Sequence, residues 1–128
     1  MLHILAICLG GGLGAVLRHL LFLAVQRPTG PDFPLGTLTV NLLGCLAIGF
    51  LWTLFEGTRL APGWRLFLFT GVLGGFTTFS TFGLETMQLW EVGEWKSALL
   101  YVALSNGVGL PLVAAGVWLA RRAHWFAG

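Results

Sequence analysis

Charged side chains are scarce in this chain of 128 residues: 9% are Asp, Glu, Lys or Arg, while 56% are hydrophobic. Soluble domains carry about 25% charged residues. A domain this short cannot hide so much apolar surface in one core, which excludes an ordinary soluble globule. Intrinsic disorder, which needs the opposite composition, is excluded with it. The formal charge of +2 is spread along the chain without a basic tract, so no electrostatic footprint for nucleic acid is present. Cysteine is limited to Cys8 and Cys45, both in apolar stretches and without CxxC spacing. They read as small hydrophobes, not as a disulfide or metal site. His3, His19 and His124 are scattered, and no Ser/His/Asp, Cys/His or metal-ligand grouping appears, which speaks against an enzyme. The 19 glycines show no Gly-X-Y period, which excludes collagen. The apolar N-terminus lacks a basic leader and a small-residue cleavage site, so no cleavable signal peptide is expected.

What is present fits an all-α integral membrane protein of one domain, residues 1–128. A helix of about 20 apolar residues crosses a bilayer core. That length occurs four times, at about residues 3–25, 35–55, 66–90 and 97–120. Between them lie Gly, Pro and charge clusters: Arg27 to Asp32, Glu56 to Gly63, and Glu91 to Glu94. Trp52, Trp64, Trp90, Trp95 and Trp118 fall near span ends, as in an interfacial aromatic belt, and Trp125 is in the tail. With four spans, one side holds Arg59, Arg65, Arg121 and Arg122, and the other holds Arg27 and Lys96. This is a weak positive-inside bias, compatible with insertion in both orientations.

Glycine is concentrated inside the spans. Gly10 with Gly14, and Gly71 with Gly75, have GxxxG spacing, which lets helix backbones approach closely in lipid. Four helices enclose little of a central path by themselves, so the small faces suggest a homo-oligomer.

The third span is the most unusual. It reads Gly71-Val72-Leu73-Gly74-Gly75-Phe76-Thr77-Thr78-Phe79-Ser80-Thr81-Phe82-Gly83, poor material for a continuous helix. It predicts a break at mid-membrane, where unwound carbonyls would face a cation and free N–H groups an anion. The competing reading is a continuous helix whose hydroxyls bond back one turn. After a break, Phe79 and Phe82 share a helix face. Their positive ring edges would attract a small anion, or the rings would simply pack.

Asn41 is a lone amide in the second span, a donor either to an anion or to a neighbouring helix. Tyr101, Ser105 and Gly109 form one stripe in the fourth span, Asn106 adds another amide, and Pro111 marks a kink. Arg18 and Glu85 lie within about two turns of span ends, where each either snorkels to the interface or lines a vestibule.

Three runs together resemble the CrcB/Fluc family of fluoride channels: Gly11 to Arg18, Gly36 to Gly44, and Gly74 to Phe82. The resemblance covers essentially all four spans. It implies a passive fluoride channel that lowers cytoplasmic fluoride from the inner or plasma membrane of a prokaryote. It implies an antiparallel, dual-topology homodimer in the lipid bilayer, with two pores and a broken third helix. By the same resemblance, the backbone carbonyls of Gly74 and Thr77 would hold one structural sodium ion (Na+) on the dimer axis. Phe79 and Phe82 would form the pore's box of ring edges, and Asn41 would bind fluoride. Thr81, Tyr101 and Ser105 would form a polar track. Family members often carry a further hydroxyl where this chain has Gly109, and a tyrosine where it has His19.

The alternative is a small proton-coupled transporter of the multidrug or guanidinium type. Such a carrier needs a carboxylate within the membrane. None occurs in the first, second or fourth span, and Glu85 lies toward the end of the third.

Overall fold

The computed structural model describes residues 1–127, with side chains through Ala123. His124 and Trp125 therefore lie outside the described side chains. Helix α1 covers Leu2–Thr29 and α2 covers Leu35–Phe55. The third span begins as α3 (Pro62–Arg65), continues as a π-helical run over Leu66–Leu73, and ends its first half in the short α4 (Gly74–Phe76). Its second half is α5 (Phe79–Glu91), and α6 covers Trp95–Ala127. Among the described residues, four helical segments are long and apolar enough to cross a membrane: Leu2–Thr29, Leu35–Phe55, Pro62–Glu91 and Trp95–Ala123.

The second span has the expected ends. Helix α1 runs past the expected end through Arg27 and Pro28 to Thr29, because the Thr29 hydroxyl donates to the Val25 carbonyl at 2.7 Å and supports the last turn. Helix α6 runs unbroken through Pro111. The tryptophans Trp52, Trp64, Trp90, Trp95 and Trp118 are all exposed. Three carry a cation on the ring face, Arg65 over Trp52, Lys96 over Trp95 and Arg122 over Trp118, as suits headgroup-level anchors.

Glycine decides how the helices pair. Helix α2 packs mainly on α6, and α1 on the first half of the third span. Gly10 lies against Gly71 and the Phe67 carbonyl, Gly14 against Val72, and Gly75 against Gly11, so the two GxxxG runs interlock. Gly49 and Gly116 do the same between α2 and α6. A Cβ at Gly14 would collide with the Val72 carbonyl oxygen. Lipid gives no hydrophobic drive between helices, so close backbone packing substitutes for it.

This corrects one expectation. The two GxxxG pairs, Gly10 with Gly14 and Gly71 with Gly75, pack inside the protomer, so their spacing by itself carries no argument for an oligomer. The unpartnered surface lies elsewhere: no more than 28% of the most apolar stretch of any span is buried within the chain.

Candidate ion pathway

The break in the third span falls at Thr77 and Thr78. Both are extended, with φ/ψ of −84/155° and −149/113°. The Thr77 N–H closes the last bond of the preceding helix, to the Leu73 carbonyl at 3.1 Å. From there Asn41 of α2 takes over. Its Oδ1 accepts from the Thr78 N–H at 2.8 Å, and its Nδ2 donates to the Thr78 carbonyl at 2.9 Å. This pairing fixes the amide's orientation, since the reversed amide would face donor with donor. Gly44, one turn further along α2, leaves room for the Thr77 methyl group. Thr78 then caps α5: its Oγ1 accepts from the Thr81 N–H at 3.3 Å and donates to the Thr81 hydroxyl at 2.9 Å.

These diversions have a consequence for two carbonyls. In a continuous helix the Thr78 N–H would reach the Gly74 carbonyl, and the Thr81 N–H the Thr77 carbonyl. Here both N–H groups go to side chains instead. Gly74 and Thr77, the two residues singled out for sodium, thus have carbonyls released from those helical partners. Gly74 is exposed on the protomer surface. Oxygen donors of unwound backbone are what a sodium ion takes, so the chemistry of these two carbonyls fits such a cation.

Beside the break runs an open groove of about 360 Å³. Its lining includes Asn41, Thr77, Thr78, Phe79, Phe82 and Ser105, and holds no charged residue. Phe79 is 82% exposed and Phe82 buried, with ring centres 5.5 Å apart and planes tilted by 50°. The Ser105 Oγ is buried and, among the described residues, has no hydrogen-bond partner. Gly109 leaves space that the Cys45 sulfur borders. The Asn106 amide donates to its own helix, at the Val102 carbonyl, 2.9 Å away.

A second, smaller cavity of about 250 Å³ is lined by Arg18, His19, Thr37, Thr78, Thr81 and Glu85, among others. Thr78 lines both spaces. Glu85 does not snorkel outward. The buried Thr37 hydroxyl donates to its Oε1 at 2.8 Å, and the Tyr101 hydroxyl to its Oε2 at 2.7 Å. Tyr101 is fully buried. Both hydroxyl protons thus point at one carboxyl group, so each of its oxygens has a donor. Arg18 is half-buried in the same cavity, and among the described residues no carboxylate pairs with it.

The structure therefore gathers Asn41, Phe79, Phe82 and Ser105 along the groove, and Arg18, Thr81 and Glu85 around the inner cavity. Tyr101 joins them only through Glu85 and through its edge-on contact with Phe82, 5.0 Å between ring centres. Sequence reasoning passed over Thr37 and Thr78. An intramembrane carboxylate needs donors, and a broken helix needs an N-cap. Those needs were the available signals.

The fold and site define a four-span α-helical membrane protein whose broken third span carries an uncharged polar and aromatic groove. Residues 5–117 match the family described as "CrcB-like protein, Camphor Resistance (CrcB)", and this chain belongs to that family. It is similar to proteins named "Fluoride-specific ion channel FluC" across nearly its whole length. The Paracoccus denitrificans protein is 50% identical over 120 residues, 91% of this chain and 93% of that protein. The Chloroflexus aurantiacus protein is 48% identical over 130 residues, all of both chains. The Desulfotalea psychrophila protein is 43% identical over 122 residues, 95% of this chain and 94% of that protein. The chain is a multi-pass membrane protein.

Proposed function

We propose that this chain is a passive fluoride channel that works as an antiparallel, dual-topology homodimer and lets fluoride leave the cell. The observation that carries the reading is the groove beside the break, which has the character of a pore wall cut lengthwise. It offers amide, hydroxyl and ring-edge groups, no charge, and one buried hydroxyl without a partner among the described residues. Phe79 stands out from the protomer, where a second copy would cover it.

In this reading Arg18 concentrates anions in the inner cavity by its field. A fluoride ion entering the groove exchanges water for donors. The second N–H of the Asn41 amide and the Ser105 hydroxyl serve as such donors, followed by the rims of Phe79 and Phe82. Thr81 and Tyr101 complete the polar track. Several weak sites let the ion leave as readily as it enters. The donors along this path are an amide, hydroxyls and ring edges, so the reading calls for no coupled proton step.

The competing proton-coupled reading has one supporting feature, the intramembrane carboxylate of Glu85, but both its oxygens already accept hydroxyl bonds. A liposome experiment separates the two. Purified wild-type protein is expected to dissipate a fluoride gradient with net charge movement and without a proton gradient. Flux of guanidinium or other organic cations that requires a proton gradient would overturn the channel reading.

A structural sodium ion would be held by the Gly74 and Thr77 carbonyls of both copies, joining the two broken helices at the axis. It would supply fixed positive charge and a crosslink between subunits. A Cβ at Gly74 meets only the Phe69 carbonyl oxygen, at an ordinary 3.7 Å, so the protomer itself tolerates a side chain there. The dimer's melting temperature is therefore expected to rise with sodium concentration when N-methylglucamine is the replacement cation, by linkage. Gly74→Val should lose that rise and fall apart to monomers. Sodium-independent melting, with stable Gly74→Val dimers, would remove the ion from the account.

A further inference from the structure

Pro34 precedes α2 and cannot cap it with a side chain. The cap comes from another helix. Gln26, near the end of α1, accepts from the Gly36 N–H through its Oε1 at 2.8 Å. Its Nε2 donates to the Phe33 carbonyl at 3.0 Å and also to the Gly30 carbonyl. One side chain thus ties together the end of α1, the turn through Gly30 (φ 82°, a left-handed conformation suited to glycine) and the first turn of α2.

The two flanks of this clamp reach the pathway. Immediately after Gly36 comes Thr37, which donates to Glu85. Phe33 stands edge-on to Tyr101, 5.7 Å between ring centres and 75° between planes. Tyr101 is edge-on to Phe82 and bonded to the same Glu85. Phe33, Tyr101, Phe82 and Phe79 form an unbroken series of ring contacts from the loop to the groove.

We propose that Gln26 is a positioning residue of the ion pathway. Through Thr37 and Phe33 it sets the seat of the Glu85–Tyr101 pair, and through Tyr101 the tilt of Phe82. Neither Gln26 nor Phe33 lines the groove beside the break; with Glu85 both line a separate cavity of about 740 Å³, and their effect on conduction is assigned to these contacts. The inference rests on the fluoride-channel reading, and wild-type flux in the same liposomes tests that reading separately.

The experiment measures fluoride efflux per assembled channel, chloride efflux and melting temperature for the full-length protein. Gln26→Leu removes the clamp at nearly constant volume, and Phe33→Leu removes the ring edge. Each is expected to lower fluoride efflux about tenfold, as loss of one cap or one ring contact allows, and to narrow the preference over chloride. The double variant should be no worse than the poorer single one, because both act through one device. Phe33→Tyr, which keeps the ring, should recover the flux. A purely structural role predicts lower melting temperature with unchanged efflux and selectivity per channel. That result, or multiplying losses in the double variant, would overturn the proposal. Should Gln26→Leu fail to assemble, the Phe33→Leu and Phe33→Tyr pair decides alone: equal efflux from the two refutes it.

Discussion

Replacing Phe79 or Phe82 with isoleucine is expected to cut fluoride efflux about a hundredfold while the dimer still forms, a barrier increase of about 3 kcal/mol. Isoleucine keeps the apolar bulk but has no ring and therefore no positive rim. Two rings in edge contact gain about 1 kcal/mol beyond their buried area. A partly dehydrated anion meeting the same rim in a medium of lower dielectric gains more, since screening by water is lost. Nothing else in the groove near these rings is charged, so nothing compensates.

The two positions separate conduction from packing. Phe79 is 82% exposed in the protomer, so shortening it leaves no cavity there. Phe82 is buried against Tyr101, and its replacement carries a packing cost of about 1–3 kcal/mol as well. If ring edges matter, both variants lose efflux although only Phe82→Ile loses packing within the protomer. Efflux at wild-type level from both would remove the rings from the permeation path, and efflux that tracked stability would make them packing residues.

How far the sequence carries these conclusions differs by element. The four spans follow from length and hydropathy alone, and α2 ends close to where the apolar stretch of about residues 35–55 does. The break was foreseeable because Gly74 and Gly75 followed by four hydroxyl residues through Thr81 make a weak helix in a medium that tolerates few weak helices. Its position at Thr77 and Thr78 was not, since it depends on Asn41 arriving from another helix. Likewise Glu85 looked able to snorkel, because hydropathy places it near a span end. What holds it inward are Thr37 and Tyr101, 48 and 16 residues away. The π-helical run over Leu66–Leu73 had no local signature. The GxxxG runs were visible as motifs, but a motif does not state its partner. Here each found the other in the same chain.

Asn41→Leu should abolish fluoride efflux, and for a reason broader than loss of one anion donor. The asparagine satisfies both backbone groups of Thr78, the N–H and the carbonyl, at the point where the helix is open. Leucine satisfies neither. Each backbone group left bare away from water costs about 1–3 kcal/mol, and in lipid the cost is higher still. The chain's cheapest remedy is to rewind, returning the Thr78 N–H to the Gly74 carbonyl. Rewinding would take that oxygen from the proposed cation and rotate α5, carrying Phe79 and Phe82 off the groove. The expected signature is therefore threefold: no efflux, weaker sodium dependence of melting, and slower hydrogen exchange at the Thr78 amide in whatever dimer remains. Asn106→Leu supplies the contrast. Among the described residues that amide bonds only within its own helix, so its loss should lower efflux by less than about tenfold and leave the Thr78 amide unchanged. Asn41→Asp probes the donor itself. It keeps the acceptor for the Thr78 N–H but places an anionic oxygen against the Thr78 carbonyl and in the path of the ion, so it too should not conduct. Normal efflux from Asn41→Leu would show that the open helix stands without its brace and that fluoride passes without this amide.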